Sequence, residues 1–186
     1  MGTARPPEPE LLLVAAFSRH GEALCWARRR LAAAFGPVCL ASPAFPFTQT
    51  NYYEPTMGPG LRKVFYGFRD LVPPETLAAI KRHTNELEAQ LAAAGRHAEP
   101  RPLNLDPGLL SLGKFVLATT KNQAHRIYLR DGIYAEVTLC FQDGQFHPWP
   151  WTYADYRQPA VLDFLKSARA YYRSVLRSRT RTMNDE

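Results

Sequence analysis

Between Asn104 and Leu139 the chain reads NLDPGLLSLGKFVLATTKNQAHRIYLRDGIYAEVTL, its densest set of groups able to hold an anion or move a proton. Lys114, Lys121 and Arg126 offer positive charge to a phosphate, the guanidinium in a fork that can make two parallel hydrogen bonds. Thr119 and Thr120 add neutral donors, with Asn104 nearby. Glu136, Asp106 and His125 are the candidate bases. Glu136 with Asp106 can also hold Mg²⁺, since such sites need only one or two carboxylates besides phosphate oxygens. Each group has a plainer explanation. A cross-strand Arg126–Glu136 pair on a solvated face contributes about 1 kcal/mol or less and requires no function, and a satisfied, partly buried histidine accounts for His125 as well as a base does.

The elements that must position these groups can be read from periodicity. GIYAEVTLCF alternates, with Ile133, Ala135, Val137, Leu139 and Phe141 on a core face and Tyr134, Glu136, Thr138 and Cys140 on the other. HRIYL precedes it across Arg130-Asp131-Gly132. A two-residue loop with regular pairing would set Ile127 against Glu136, and a one-residue slip inverts every side chain. A three-residue loop with Gly132 in the left-handed region sets Ile127 against Ala135, Tyr128 against Tyr134, Leu129 against Ile133 and Arg126 against Glu136, and is the expected form. This register turns His125 toward the core side. KFVLATTK is expected as the neighbouring strand, bringing its lysines and threonines to the same wall.

Upstream, Leu11–Ser18 is a continuous apolar run and reads as a buried strand. A helix follows from Gly21 to Phe35, stopped by Gly36-Pro37, with a return strand near Val38. SPAFPFTQTNYYEPTMGPG, Ser42 to Gly60, has too many prolines for a regular element and too many aromatics for a linker. It reads as an ordered loop, either a site wall with Asn51 and Tyr53 as binding candidates or a cover over the sheet edge. Lys63–Arg69 reads as a strand and Pro73 to Gly95 as a helix with a Leu77, Ile80, Thr84, Leu87, Leu91 seam. Asn104–Gly108 reads as a turn. QFHPWPWTYADYR is expected as a polyproline-like strap, and the last helix from Pro159 to Arg177.

Composition sets the class. At 186 residues and 46% hydrophobic the chain suits a single domain, 1–186, with flexible ends at 1–9 and 178–186. Three scattered cysteines indicate a reduced compartment, no apolar run approaches the roughly 20 residues of a membrane span, and MGTARPPEPE lacks a secretory pattern, so the expected location is the cytoplasm, with no membrane partner. A net charge of +6 and a pI of about 9.4 favour an anionic partner, whether small molecule or RNA, although the arginines at 28–30 and 173–181 also suit a solubilising surface. No metal site is expected, because His20, His83, His97, His125 and His147 show no ligand spacing and no CxxC occurs. SRHGEA after the first strand lacks the phosphate-cradling glycine patterns.

FPFTQTNYYEPTMGPGL, KRHTNELE, the 101–139 stretch and PWTYADYR together resemble a bacterial family known as a domain of unknown function, number forty-four-sixteen. The resemblance covers nearly all of the chain except its two ends and implies no catalytic residue. Members are sometimes called GTP-binding proteins. This chain has no P-loop, and Thr120-Lys121-Asn122-Gln123 lacks the acidic residue of a guanine-reading motif.

The expected architecture is α+β: a mainly antiparallel sheet of about five or six strands with three principal helices mostly on one face. Its leading topology is a ferredoxin-like core, the alternative an open α/β sheet. Two functions follow. One is a site for a phosphorylated or nucleotide-like small molecule, with or without catalysis. The other is a non-enzymatic RNA- or protein-binding module. A concave polar hairpin face favours the first and a flat one the second; oligomeric state is left open.

Overall fold

The computed structural model describes residues 2–184. β1 (Leu11–Ser18) runs through the middle of the sheet, and all of its residues are buried. Their alternation serves two cores. Leu12, Val14 and Ala16 meet α1 (Gly21–Phe35) and α3 (Leu77–Ala93), whereas Leu11, Leu13 and Ala15 meet α4 (Pro159–Asn184) on the opposite face. A strand covered on both faces has no polar side to present, which is why its sequence is a continuous apolar run. Each fully buried leucine here contributes about 1.5–3 kcal/mol relative to exposure.

The remaining strands are β2 (Val38–Ala41), β3 (Phe45–Pro46), β4 (Arg62–Phe68), β5 (Asn104–Leu110), β6 (Lys114–Thr119), β7 (Ile127–Arg130), β8 (Ile133–Gln142) and β9 (Gln145–Pro148). They form one nine-stranded sheet in the order β2-β4-β1-β5-β6-β8-β7, with β3 beside β4 and β9 beside β8. Every strand pairing among the described residues is antiparallel. The βαβ-like opening therefore does not make a parallel α/β sheet, because β4 inserts between β1 and β2.

Three expectations are corrected. The sheet has nine strands instead of five or six, and α4 covers the face opposite α1 and α3. The third concerns Asn104–Gly108, which is not a turn but most of β5, despite Pro107. β5 pairs with β1 along its whole length, yet β6 joins it only from Gly108 to Leu110. A proline costs a ladder hydrogen bond only where its N–H would have donated, and here β6 has already diverged. The exposed edge is completed by α3: Leu105 N–H donates to Glu88 Oε1 at 2.7 Å, and its carbonyl accepts Lys81 Nζ at 2.7 Å.

In the hairpin, Ile127 pairs with Ala135 and Tyr128 with Tyr134, the expected register. The loop differs. Arg130 pairs with Ile133 across a two-residue Asp131-Gly132 turn, and an irregularity between Tyr128 and Arg130 absorbs the odd residue. Asp131 (φ 54°) and Gly132 (φ 74°) both take left-handed backbone, the twist that suits a two-residue hairpin. A second irregularity, where β8 meets β6 between Phe115 and Val116, breaks the assumed alternation. Leu139 and Phe141 join the α4 core while Ile133 and Ala135 remain with α1 and α3. Glu136 and Thr138 are not solvated but buried, Glu136 beneath Arg126 and His125 and Thr138 beside Thr152.

α1 spans its expected residues, and α3 follows a short 3₁₀ turn at Pro74–Thr76. α2 (Glu54–Met57) lies within the proline-rich segment, whose Phe47 and Met57, with the following Leu61, bury against Phe17. The expected strap holds the edge strand β9 and a 3₁₀ turn, Ala154–Arg157. α4 continues past Arg177 to Asn184; of the expected flexible ends, positions 1, 185 and 186 lie outside the described residues. No helix among the described residues is long and apolar enough to cross a membrane.

Candidate functional site

Where β5 and β6 part, a cavity of about 560 Å³ opens. Its strand wall carries Asn104 and Asp106 from β5, Leu117 to Thr119 from β6, Lys63 from β4, Phe17 from β1 and Glu136 from β8. The segment before α2 supplies Phe47, Gln49, Thr50, Tyr52 and Tyr53, α3 supplies Lys81 and Asn85, and the stretch after β9 supplies Tyr153 and Asp155. Phe17, Phe47 and Tyr53 form one aromatic cluster, with Phe17 stacked on Phe47 at 4.9 Å and edge-on to Tyr53 at 4.9 Å. The proline-rich segment is thus a cavity wall as well as a cover.

Buried charges around this space are paired, as desolvation requires. Lys63 Nζ donates to Asp155 Oδ2 at 2.5 Å, inside a cage that includes the Tyr156 ring at 4.3 Å. Lys81 Nζ reaches Asp106 Oδ1 at 3.3 Å, and Asn104 Nδ2 donates to Asp106 Oδ2 at 2.8 Å. Arg126 Nε donates to Glu136 Oε2 at 2.7 Å, its other nitrogens to the Lys121 carbonyl at 2.9 Å and the Tyr153 hydroxyl at 2.7 Å. Arg101 bridges Glu88, at 3.1 Å, and Asn104. Burial pushes Glu88 above the usual carboxylate range against the pull of Lys81 and Arg101. It likewise raises Tyr53 and Tyr153, reinforced for Tyr53 by the charge on Asp106, so both phenols stay neutral donors. The Tyr156 hydroxyl is buried with no hydrogen-bond partner among the described residues.

One lining cation differs. Lys121 is exposed and has no carboxylate within ion-pair distance among the described residues; its Nζ lies 4.7 Å from the centre of the Tyr52 ring. Beside it, Thr119 Oγ1 accepts the Lys121 backbone N–H at 3.2 Å, which leaves the hydroxyl proton free to donate outward.

Of the residues singled out from sequence, Tyr53, Asp106, Thr119, Thr120, Lys121 and Glu136 line the cavity. Arg126 stands behind Glu136. His125 precedes β7, so strand alternation does not bind it. It turns to Glu136 Oε2 at 3.2 Å and stacks on Trp151 at 5.2 Å instead of entering the core. Lys114 and Asn51 do not line the cavity; Lys114 begins β6 opposite Cys140, and Asn51 is exposed in its loop. Sequence reasoning missed Lys63, Lys81, Arg101 and Asp155. A lysine within the aromatic KVFYGFR and another on the edge of the α3 seam are polar interruptions of buried patterns, and that was the available signal.

As a Mg²⁺ ligand Glu136 is a poor fit: one oxygen accepts from Arg126, with His125 also facing it, and the other lies 3.3 Å from the Thr138 hydroxyl. Asp106 is more open, its side chain 26% exposed, but its two oxygens already face Lys81 at 3.3 Å and Asn104 at 2.8 Å.

The chain belongs to the family described as a domain of unknown function (DUF4416), whose model matches residues 8–172. No curated protein and no solved structure gives a match.

Proposed function

We propose that the cavity binds a phosphorylated, nucleotide-like small molecule, with Lys121, Thr119 and Thr120 at the phosphate and the Tyr52, Tyr53 and Phe47 rings beside the flat part of the ligand. The observation that carries this reading is the exposed Lys121, without an ion-pair partner among the described residues, at a concave wall whose buried cations are already neutralised by acids. An anion entering here gains a charge-assisted contact without breaking an existing pair. Asp106 is the carboxylate for an accompanying Mg²⁺. Catalysis is not required by this reading.

A thermal-shift series with nucleotides, sugar phosphates and pyrophosphate, with and without Mg²⁺, tests it, because a ligand that binds only the folded state raises Tm with its concentration over Kd. Absence of a shift with every anion would remove the reading. A second reading, a macromolecule-binding module, draws on Ile127, Tyr128 and Leu129 exposed on the edge strand β7 and on the half-exposed Trp149–Trp151 stack at 5.3 Å. Steeply salt-dependent RNA binding without small-anion shifts would favour it.

The ferredoxin-like description of the β2-β4-β1-β5 half of the sheet is supported by its order and by α1 and α3 lying on one face as the two crossovers. Cytoplasmic residence is supported by three free cysteines, Cys25, Cys39 and Cys140.

A further inference from the structure

Away from the cavity lining, the turn from β1 into α1 meets the connection from α3 to β5. Ser18 Oγ pins this junction, donating to the Pro102 carbonyl at 2.6 Å and accepting the His20 N–H at 3.0 Å. His20 and His97 then face each other with ring centroids 4.3 Å apart. Both direct Nδ1 at the same carboxylate oxygen, Glu22 Oε1, at 3.7 Å from His20 and 3.9 Å from His97. The far nitrogen of His20, Nε2, pairs with Glu99 Oε2 at 2.8 Å, and Glu99 Oε1 accepts Arg19 at 2.8 Å.

We propose that His20, Glu22 and His97 form a binding site for a divalent transition metal of the zinc class, with Glu99 as the carboxylate that orients His20. Zinc takes imidazole nitrogen and carboxylate oxygen at about 2.0–2.2 Å, which sets tetrahedral ligand atoms roughly 3.3–3.5 Å apart. The three ligand atoms lie within 4.8 Å of one another, and the Glu22 side chain, 72% exposed, is free to close the remaining gap by rotation. Glu99 on the outer nitrogen of His20 matches the arrangement in which a metal-bound histidine gives its other N–H to a carboxylate, fixing tautomer and ring plane.

The plainer account is a cluster of His–Glu ion pairs. It gives His20 and His97, with ring centres 4.3 Å apart, no common partner nearer than 3.7 Å, whereas a metal would bind a nitrogen of each ring. It also leaves His97, whose side chain is 7% exposed, without a hydrogen bond to any described residue. The helix N-terminus beside Glu22 disfavours a cation, and the two carboxylates offset that partial charge. The ligands are 75 or more positions apart in sequence between His97 and the Glu22–His20 pair, which is why no ligand spacing is visible.

The test is metal titration of the full chain after chelation, with Zn²⁺ by calorimetry and Co²⁺ by visible absorption. A single saturable equivalent with a tetrahedral Co²⁺ spectrum is expected. His97→Ala and Glu22→Gln should abolish saturable binding, Glu99→Gln should weaken it by about 10- to 100-fold, and His83→Ala should leave it unchanged. Glu22 is exposed, so its variant reports without risk to folding. Absence of a saturable equivalent, or binding that survives both His97→Ala and Glu22→Gln in folded protein, would overturn the proposal.

Discussion

Arg126 and Glu136 meet at 2.7 Å with each side chain only 1% exposed, so an ion pair that local alternation would leave on a wet surface is sealed between sheet and covering segments. A surface pair would matter little. Breaking a buried one leaves an uncompensated charge, at a cost of about 3–5 kcal/mol. Arg126→Met should therefore destabilise by roughly that amount, and Arg126→Met combined with Glu136→Leu should recover much of the loss. Urea denaturation of the double-mutant cycle checks this; additive single effects below about 1 kcal/mol would mean that the pair is screened by solvent.

Lys121 and Lys114 separate the cavity from general basicity. Both are exposed, so replacing either by alanine should change stability by less than about 0.5 kcal/mol. Only Lys121→Ala should weaken binding of a phosphorylated ligand, by roughly ten- to a hundredfold for one lost charged hydrogen bond. Calorimetry with pyrophosphate or a nucleotide distinguishes them, and equal losses from both variants would point to diffuse electrostatics.

Glu88 gives a signed pH dependence. Its folded value is raised by burial, so the folded chain holds this proton more tightly than the unfolded chain does. Its contribution to stability is present below the unfolded value and is lost as pH rises through the folded one. Denaturation midpoints measured upward from the usual glutamate range should fall, and Glu88→Gln should flatten that part of the profile. An unchanged slope in the variant would assign the dependence to other groups.

Tyr156 is buried, yet its hydroxyl has no hydrogen-bond partner among the described residues. Tyr156→Phe keeps the ring that packs on Phe65 and Phe115 while removing a desolvated polar group. Stability should rise, by about 1 kcal/mol. A loss in thermal or urea denaturation would show that the hydroxyl is satisfied in solution, by water or by a ligand.

The sequence by itself determined what depends on near neighbours. The limits of α1 follow from its apolar stripe and the Gly36-Pro37 stop, and the β7–β8 register follows from alternation around Asp131-Gly132, which also placed Arg126 beside Glu136. Even there, irregular pairing escaped notice, because an extra residue in one strand leaves no mark in hydrophobic spacing.

Only the tertiary structure decided which surfaces were covered and which distant charges met. β5 could not be read as a strand, because the groups that complete its edge beside Pro107 belong to Lys81 and Glu88 on another element. Lys63 finds Asp155 across 92 positions, and the stretch Trp151–Tyr153, which reaches Val137, Thr138 and Arg126, helps turn a polar strand side into a buried wall. Periodicity reports that a face is apolar or polar. What packs on that face, and which charge answers a buried lysine, is fixed by contacts between residues remote in the chain, and no local pattern records them.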